Sequence, residues 1–203
     1  MTGEKYSAGD GLLHVHPFLK QFYLSSPALG RTGQEPTMQI LDDRQIRQKI
    51  KRLAIEILEH NFGEPEIILA GLNNNGTGFA QLLLAELLPI VPAATTLTLT
   101  RIRLNPANPV EYDPYIEMPA EALRGRPIII VDDVANTGRT IFYAVQPLLK
   151  VLPKKVEVAV LVDRKHKSFP IKADYVGLSL ATTLLEDIDV QIREVADMAV
   201  YLN

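Results

Sequence analysis

Two adjacent aspartates, Asp132 and Asp133, stand directly after an apolar run at residues 128–131. A pair of ionised carboxylates offers several hydrogen-bond acceptors and no donor. The pair therefore suits a ligand that presents two hydroxyl groups, such as the 2,3-diol of a ribose, or a bound cation. Capping a helix requires only one side chain, so two acids exceed what a plain strand-to-helix turn needs.

The segment after the carboxylates combines small, hydroxyl-bearing and basic residues, which are Ala135, Asn136, Thr137, Gly138, Arg139 and Thr140. A helix that begins here would leave its first N–H groups without partners inside the helix, and such groups bind anions. The threonine hydroxyls add donors, the glycine permits close approach of the backbone, and the arginine adds positive charge. The whole motif predicts a site for a sugar phosphate.

The rest of the chain alternates between short apolar runs and segments with helical spacing. Strands are predicted at residues 66–71, 95–102, 127–131, 156–163, 175–178 and 188–192, and helices at 46–57, 79–88 and 140–152. Asp42 or Asp43 is expected to cap the first helix, and Pro147 to kink or break the last one. The alternation predicts an α/β fold with a parallel twisted sheet flanked by helices, which binds ligands at the carboxyl ends of its strands.

Two segments lack this regular pattern. Residues 1–37 are rich in Gly and Pro and are predicted to form an irregular N-terminal extension to a domain at residues 38–203. Residues 103–123 are rich in Pro and Asn and have no clear period. A loop of that length inside a compact domain is usually functional or mobile.

Composition excludes several classes of protein. The 203 residues contain no cysteine, which removes disulfides, thiolate nucleophiles and cysteine metal sites and fits a reducing compartment. A net charge of −3 argues against a dedicated nucleic-acid binder. No apolar run approaches ~18 residues and no signal peptide is evident, so we expect a cytoplasmic protein without a membrane anchor.

Two other nucleotide-binding motifs fit poorly. A nucleoside-triphosphatase requires a phosphate loop that ends in Gly-Lys-Ser/Thr, and the one candidate, GLNNNGTG at residues 71–78, has no lysine. The same stretch is a weak match to a dinucleotide fingerprint, but Gln81 stands where the last glycine belongs.

The stretch IIIVDDVANTGRT resembles the phosphoribosyl pyrophosphate (PRPP) signature of type I phosphoribosyltransferases. The stretches ILDDRQIRQKIKRLAIEILE, TLTLTR and AVLVDRKHKSFPIKADYVG, with the spacings between them, resemble the PyrR family across residues 38–203. Members of that family are pyrimidine-operon attenuation regulators that are also uracil phosphoribosyltransferases. The resemblance implies a type I phosphoribosyltransferase-like fold with a mobile active-site loop at residues 103–123.

The resemblance also implies roles for individual residues. Asp132 and Asp133 would bind the ribose hydroxyls, residues 136–140 would hold the 5-phosphate, and Arg101, at the start of the mobile loop, would be catalytic with the two aspartates. The pyrophosphate loop would comprise Gly71, Asn73, Asn74, Asn75 and Gly76. The base would contact Thr182, Thr183 and Ile188.

By the same resemblance, the reaction would be displacement of pyrophosphate from PRPP by uracil, giving UMP. Mg²⁺ would arrive bound to the pyrophosphate, and the protein would form a homo-oligomer, a dimer or tetramer. Contact with RNA would run through the basic cluster Arg164, Lys165, His166 and Lys167. That cluster equally fits a solvated loop.

Two departures from the family pattern bear on function. The family carries Lys and Arg in its pyrophosphate loop where this chain has Asn73 and Asn75, and Arg193 stands where relatives carry an acid. Neutral amides stabilise a departing pyrophosphate less than cations do. Three functions remain open at this point: a nucleobase phosphoribosyltransferase, an RNA-binding regulator with nucleotide effectors, and a nucleotide sensor without catalysis.

Overall fold

The structure, a computed structural model, describes residues 38–181 and 186–203. Its strands are β1 (Met38–Leu41), β2 (Glu66–Leu72), β3 (Thr96–Arg103), β4 (Tyr115–Ile116), β5 (Pro127–Ala135), β6 (Lys155–Arg164), β7 (Tyr175–Leu180), β8 (Ile188–Gln191) and β9 (Ala199–Leu202). Its helices are α1 (Asp43–His60), α2 (Asn73–Leu87), α3 (Ala120–Leu123) and α4 (Arg139–Ala144), with a 3-10 helix at Gln146–Lys150.

The central sheet has six strands in the order β4-β3-β2-β5-β6-β7. All neighbouring strands run parallel except β4, which pairs antiparallel with β3 at one edge. The predicted α/β fold with a parallel sheet is therefore confirmed.

The middle strands β2, β5 and β6 are buried on both faces of this sheet, which explains why they read as continuous apolar runs. Ile67, Leu69 and Ile129 pack in one core with α1 and α2. Ile68 and Ile130 point to the opposite face and pack in a second core with α3, α4 and the 3-10 helix. The prediction of helices on both faces holds.

A second sheet, antiparallel and three-stranded with the order β1-β9-β8, was not predicted. The sequence pattern placed residues 188–192 in the parallel sheet, whereas β8 pairs with β9 in this separate sheet. Strands of four residues are too short to show a period of two against their surroundings. The second sheet joins the α1 core through Leu41, Ile188 and Val200.

The helix signals in the sequence were accurate at two positions. Asp42 caps α1 in a capping box: its carboxylate accepts from the Gln45 N–H at 2.7 Å, and the Gln45 side chain accepts from the Asp42 N–H at 2.9 Å. Pro147 ends the regular helix predicted at residues 140–152, which is divided into α4 and the 3-10 helix.

Residues 103–123 are more structured than the sequence indicated. They include β4 and α3 as well as irregular backbone. The predicted extension at residues 1–37 lies outside the described residues, so it stays a prediction. In the described part of the chain, no helix is long and apolar enough to cross a membrane.

Candidate functional site

The polar residues singled out in the sequence meet at the boundary between β2 and β5. At this boundary the chain changes the side of the sheet to which it adds its next strand. From β2 the chain proceeds through α2 to β3 on one side, and from β5 it proceeds through α4 to β6 on the other. The β2–β5 pairing ends at Gly71 opposite Val131, whereas the β5–β6 pairing continues to Ala135. The last residues of β5 therefore border an open crevice, the usual ligand position in such sheets.

Asp132 and Asp133 lie in this overhanging part of β5, not after the strand as the sequence suggested. The Asp132 carboxylate accepts from the Asp133 N–H at 3.1 Å, and the Asp133 carboxylate accepts from the Val134 N–H at 3.0 Å. Burial of the Asp132 carboxyl, with the charge of Asp133 beside it, raises its pKa well above that of an ordinary aspartate. Both side chains are only partly buried, so a ligand hydroxyl can reach them.

The turn after β5 forms a small pocket of about 50 Å³ lined by backbone and hydroxyl groups of residues 134–141. Gly138 precedes α4 with φ of 82°, a left-handed conformation that favours glycine. Thr137 and Thr140 add hydroxyls to the pocket, and the first N–H groups of α4 have no partners within the helix. The pocket offers donors for an anion beside the two carboxylates.

Lys167 holds this turn in place. Its ammonium donates to the carbonyls of Ala135 at 2.9 Å and Asn136 at 3.0 Å, and it forms an ion pair with Asp163 at 2.5 Å. The side chain is 19% exposed, so its charge is occupied inside the protein. The sequence assigned Lys167 to a possible RNA contact, and these bonds argue against that role.

The other residues of the basic cluster differ from Lys167 in their surroundings, but nothing in the sequence distinguishes Lys167 from them. Arg164 donates to the Asn136 side chain at 3.2 Å, also at the turn, while Lys165 and His166 are exposed. The internal role of Lys167 was missed because a lysine in a basic run carries no sign of its distant partners.

The predicted pyrophosphate loop is a strand end and the first turn of a helix. Gly71 belongs to β2 and α2 begins at Asn73, which has φ of 46°. A Cβ at Gly71 would lie 2.4 Å from the Thr77 Cα, and one at Gly76 would lie 2.3 Å from the Val131 carbonyl oxygen. Both glycines let the N-terminus of α2 pack directly on the strands.

Amide side chains of this first turn reach the neighbouring elements. The Asn75 amide donates to the Asp133 carboxylate at 3.2 Å, and the Asn73 carbonyl oxygen accepts from the Leu104 N–H at 3.1 Å. Arg101, on β3, donates to the Asn74 side chain at 3.3 Å. The structure thus brings the candidate pyrophosphate residues, Arg101 and the carboxylates to one edge of the sheet.

A larger pocket of about 610 Å³ opens between the first turn of α2 and the end of β5. It is lined by Leu72, Asn73, Asn74, Asn75, Arg103, Leu104, Asn105, Pro106, Tyr112, Asp132, Asp133 and Thr140. The segment after β3 covers one side of it. Arg139 donates to the Pro106 carbonyl at 2.9 Å, and Gln146 donates to the Asp113 carboxylate at 3.2 Å. Tyr112 and Asn105 were not predicted as pocket residues, because the segment has no periodicity from which to infer its path.

Of the three residues predicted to contact the base, Ile188 is the one that lies in the described part of the chain. Thr182 and Thr183 lie outside the described residues. Ile188 is 7% exposed and packs in the core between the second sheet and α1. Its contact with the base stays a prediction.

Known proteins resemble this chain in sequence, and solved structures resemble it in fold. The family model described as phosphoribosyl transferase domain matches residues 36–196. The chain is 36% identical over 165 residues to bifunctional protein PyrR of Bacillus pumilus, covering 77% of this chain and 91% of that protein. It is 33% identical over 169 residues to bifunctional protein PyrR of Streptomyces coelicolor, covering 79% and 86%.

Solved structures give the same architecture at lower identity. A hypoxanthine-guanine phosphoribosyltransferase from Bacillus anthracis superposes with a TM-score of 0.63 at 19% identity, covering 79% of this chain and 95% of that one. A hypoxanthine phosphoribosyltransferase from Staphylococcus aureus superposes with a TM-score of 0.62 at 15% identity, covering 80% and 90%.

Proposed function

Because the chain belongs to the phosphoribosyl transferase domain family, and within it to the PyrR group, we propose that it transfers the phosphoribosyl group of PRPP to a nucleobase. Uracil is the favoured base, with UMP and pyrophosphate as products. The observation that carries the proposal is the position of Asp132 and Asp133, on the open end of β5 beside the turn that leads into α4.

In this proposal each end of the ribose phosphate meets the groups that suit it. The 2- and 3-hydroxyls donate to Asp132 and Asp133, which have acceptor capacity to spare. The 5-phosphate is held by N–H groups and hydroxyls of residues 136–140. Lys167 fixes the carbonyls of Ala135 and Asn136, so the turn is organised before the phosphate arrives.

The reaction breaks the bond between C1 of the ribose and the pyrophosphate oxygen and forms a bond from C1 to N1 of uracil. The N1 proton leaves to solvent, and pyrophosphate departs with the bonding electron pair. Positive charge develops on the ribose ring in the transition state, and the neighbouring carboxylates stabilise it. The segment around Pro106 and Tyr112, which covers the larger pocket, excludes water from C1.

Mg²⁺ fits the site as an ion shared with the substrate. In residues 38–181 and 186–203, no group of three or more His, Cys, Asp or Glu side chains could hold a metal. Mg²⁺ commonly binds through one or two carboxylates together with substrate phosphates, and Asp132 and Asp133 supply such carboxylates. When bound, the ion would neutralise charge on the pyrophosphate.

Thr182 and Thr183 remain the proposed base contacts, by resemblance alone.

The proposed transfer reaction is tested by incubating the protein with PRPP, Mg²⁺ and one of the bases uracil, cytosine, hypoxanthine, guanine and adenine. The measured quantity is pyrophosphate release. Release with uracil above the other bases is the expected result. Tight UMP binding without release for any base would support a nucleotide sensor in place of an enzyme.

A second candidate function is RNA binding with nucleotides as effectors. The observation that favours it is a group of exposed basic residues on α1, which are Arg44, Arg47, Lys51 and Arg52. Phosphate contacts of this kind weaken as salt increases. RNA binding that stays tight and sequence-selective at ~0.2 M salt would place regulation ahead of catalysis.

A further inference from the structure

We infer that Arg101 and Arg193, supplied by distant parts of the chain, bind the departing pyrophosphate in place of the cations that the first turn of α2 lacks. The inference rests on the proposed function and assigns to its leaving group a site that the local sequence of residues 71–76 does not reveal. It makes Arg193 a determinant of PRPP binding that has no part in binding the nucleoside monophosphate.

Both guanidinium groups converge on the asparagines of that turn. Arg101 reaches it from β3 and donates to the Asn74 oxygen at 3.3 Å. Arg193 reaches it from the segment between β8 and β9, with NH1 3.5 Å from the Asn75 oxygen. Two positive charges therefore stand where the sequence shows only neutral amides.

Asn75 connects these charges to the candidate ribose site. Its nitrogen donates to the Asp133 carboxylate at 3.2 Å while its oxygen faces Arg193. The chemistry of the two partners fixes this orientation, because only an amide N–H can donate to a carboxylate and only the amide oxygen can accept from a guanidinium. A lysine at position 75 could still pair with Asp133 but would repel Arg193, so asparagine is the residue that serves both.

A glycine of α2 and a residue with positive φ lie directly beside Arg193. A Cβ added at Gly78 would lie 2.6 Å from the Arg193 Cγ and 2.7 Å from its Cδ, so the side chain lies directly on this glycine of α2. Glu194 has φ of 54° and Asn73 has φ of 46°; within residues 38–181 and 186–203 these are the two non-glycine residues with positive φ. Backbone strain of this kind clusters at functional sites. Here Glu194 follows Arg193, and Asn73 precedes Asn74, the hydrogen-bond partner of Arg101.

The two arginines have more positive charge than their protein partners neutralise. In the described part of the chain, Arg101 forms no ion pair, and its Nε is buried without an acceptor. Arg193 pairs with Glu194 at 3.6 Å, but that carboxylate is 90% exposed, so solvent screens the pair. Donors in excess of acceptors favour a ligand with several negative charges.

Space for such a ligand exists between the two groups. A pocket of about 370 Å³ is lined by Asn74, Thr77, Gly78, Gln81, Leu82, Arg101, Ile192, Arg193 and Glu194. It shares Asn74 with the larger pocket that contains the carboxylates. A PRPP molecule with its ribose at Asp132 and Asp133 would thus extend its pyrophosphate past the first turn of α2 towards both arginines.

The test compares ligands with and without the pyrophosphate. Arg193→Gln should weaken Mg²⁺-PRPP and Mg²⁺-pyrophosphate binding by roughly tenfold or more, since charge-assisted hydrogen bonds are about twice as strong as neutral ones, and should leave UMP affinity within about twofold. Arg101→Gln should act in the same direction. Arg124→Gln, which removes an exposed arginine outside both pockets, should change none of these affinities.

Two further variants separate charge from position. Gly78→Ala retains both arginines but displaces the Arg193 side chain, and it should reproduce the ligand selectivity of Arg193→Gln. Asn75→Lys should restore PRPP affinity in the Arg193→Gln background and fail to improve it in the wild type, because there the two cations repel each other. Thermal melting verifies that each variant is folded.

Titration with pyrophosphate alone keeps this inference separate from the proposed function. Pyrophosphate binding that depends on Arg193 supports the inference even if no base gives turnover. Equal loss of PRPP and UMP affinity in Arg193→Gln, or no loss of either, would overturn it, as would wild-type protein that binds UMP and PRPP but no pyrophosphate.

Discussion

The crevice is bordered by two strand-to-helix junctions, which obtain their polar and charged groups in different ways. The two junctions are named for their proposed ligands. The ribose-phosphate junction, residues 132–140, carries its acids, hydroxyls and left-handed glycine within nine consecutive residues, and the Lys167 ammonium donates to two of its carbonyls. The pyrophosphate junction, residues 71–76, offers amides and receives its charges from Arg101 and Arg193. One junction has its candidate ligand-binding groups in a single stretch of sequence, and the other is assembled from three parts of the chain.

The difference between the two junctions shows when a sequence motif can predict a binding site. A junction whose groups are contiguous can be read as a motif, because their spacing alone determines that they converge. A junction completed from a distance looks deficient in sequence, since Asn73 and Asn75 suggest lost charge. The folded chain brings cations back to the same place through β3 and the segment between β8 and β9.

The largest expected effect comes from removing the acceptors of the ribose-phosphate junction. Asp132→Asn combined with Asp133→Asn should weaken UMP and PRPP alike by about 100-fold or more, because each lost charged acceptor costs ~1.5–3 kcal/mol. Calorimetric titration of both ligands measures it. Unchanged UMP affinity in a folded double variant would refute the ribose assignment and the contrast between the junctions.

Removing the internal support of the same junction should have the next largest effect. Lys167→Met leaves Asp163 and the carbonyls of Ala135 and Asn136 without their donor, which should cost about 1–3 kcal/mol of folding stability. The expected fall in melting temperature is ~2–4 °C for each kcal/mol, together with weaker UMP binding. Lys165→Met, at an exposed neighbour, is the matched control and should change neither.

The left-handed glycine gives a smaller, backbone-based effect. Gly138→Ala should destabilise the fold by roughly 1–2 kcal/mol, the usual cost of a left-handed alanine, and weaken phosphate-bearing ligands. Gly125→Ala imposes a similar conformation at φ of 68°, with open space around the new methyl group and no candidate ligand nearby. If both variants reduced UMP affinity equally, Gly138 would have no specific part in the phosphate site.

The smallest effect expected is a dependence on pH. Because the pKa of Asp132 is raised on folding, its contribution to stability is present below the ordinary aspartate pKa of ~3.9 and is lost as pH rises through the raised value. Affinity for the ribose diol should change in the opposite direction, since the ionised carboxylate is the better acceptor. Melting curves and UMP titrations at several pH values measure both trends, and Asp132→Asn should abolish them. Parallel trends would exclude Asp132 as their source.

The sequence predicted the central sheet well because its middle strands β2, β5 and β6 are buried on both faces. Residues 127–131 and 156–163 read as apolar runs for that reason, and Asp42 and Pro147 marked helix limits by local chemistry. The second sheet escaped prediction, since β1 and β9 are four residues long and gain their stability from each other across the chain. Local propensity contains no information about such pairing.

In the candidate site, too, the residues that are contiguous in sequence could be predicted, and those brought together by tertiary packing could not. Asp132, Asp133 and residues 136–140 could be assigned because a contiguous motif brings them to one end of a strand. The role of Lys167 and the proximity of Arg193 to Asn75 depend on tertiary packing, which no spacing in the sequence specifies. The burial of Ile188 in the core could not be predicted, because a core residue and a base contact can share the same apolar side chain.

The pairing of β1 with β9 has a consequence for the order of events during synthesis. Of the described elements β1 leaves the ribosome first and β9 last, and at ~5–20 residues per second β1 waits roughly ten seconds or more for its partner. The ribose-phosphate junction at the end of β5, together with the neighbouring strand β6, emerges within that interval. Arg193 lies between β8 and β9 and is placed only when they pair. A nascent chain should therefore form the proposed sugar-phosphate pocket seconds before it places Arg193, the second of the two cations proposed to bind pyrophosphate.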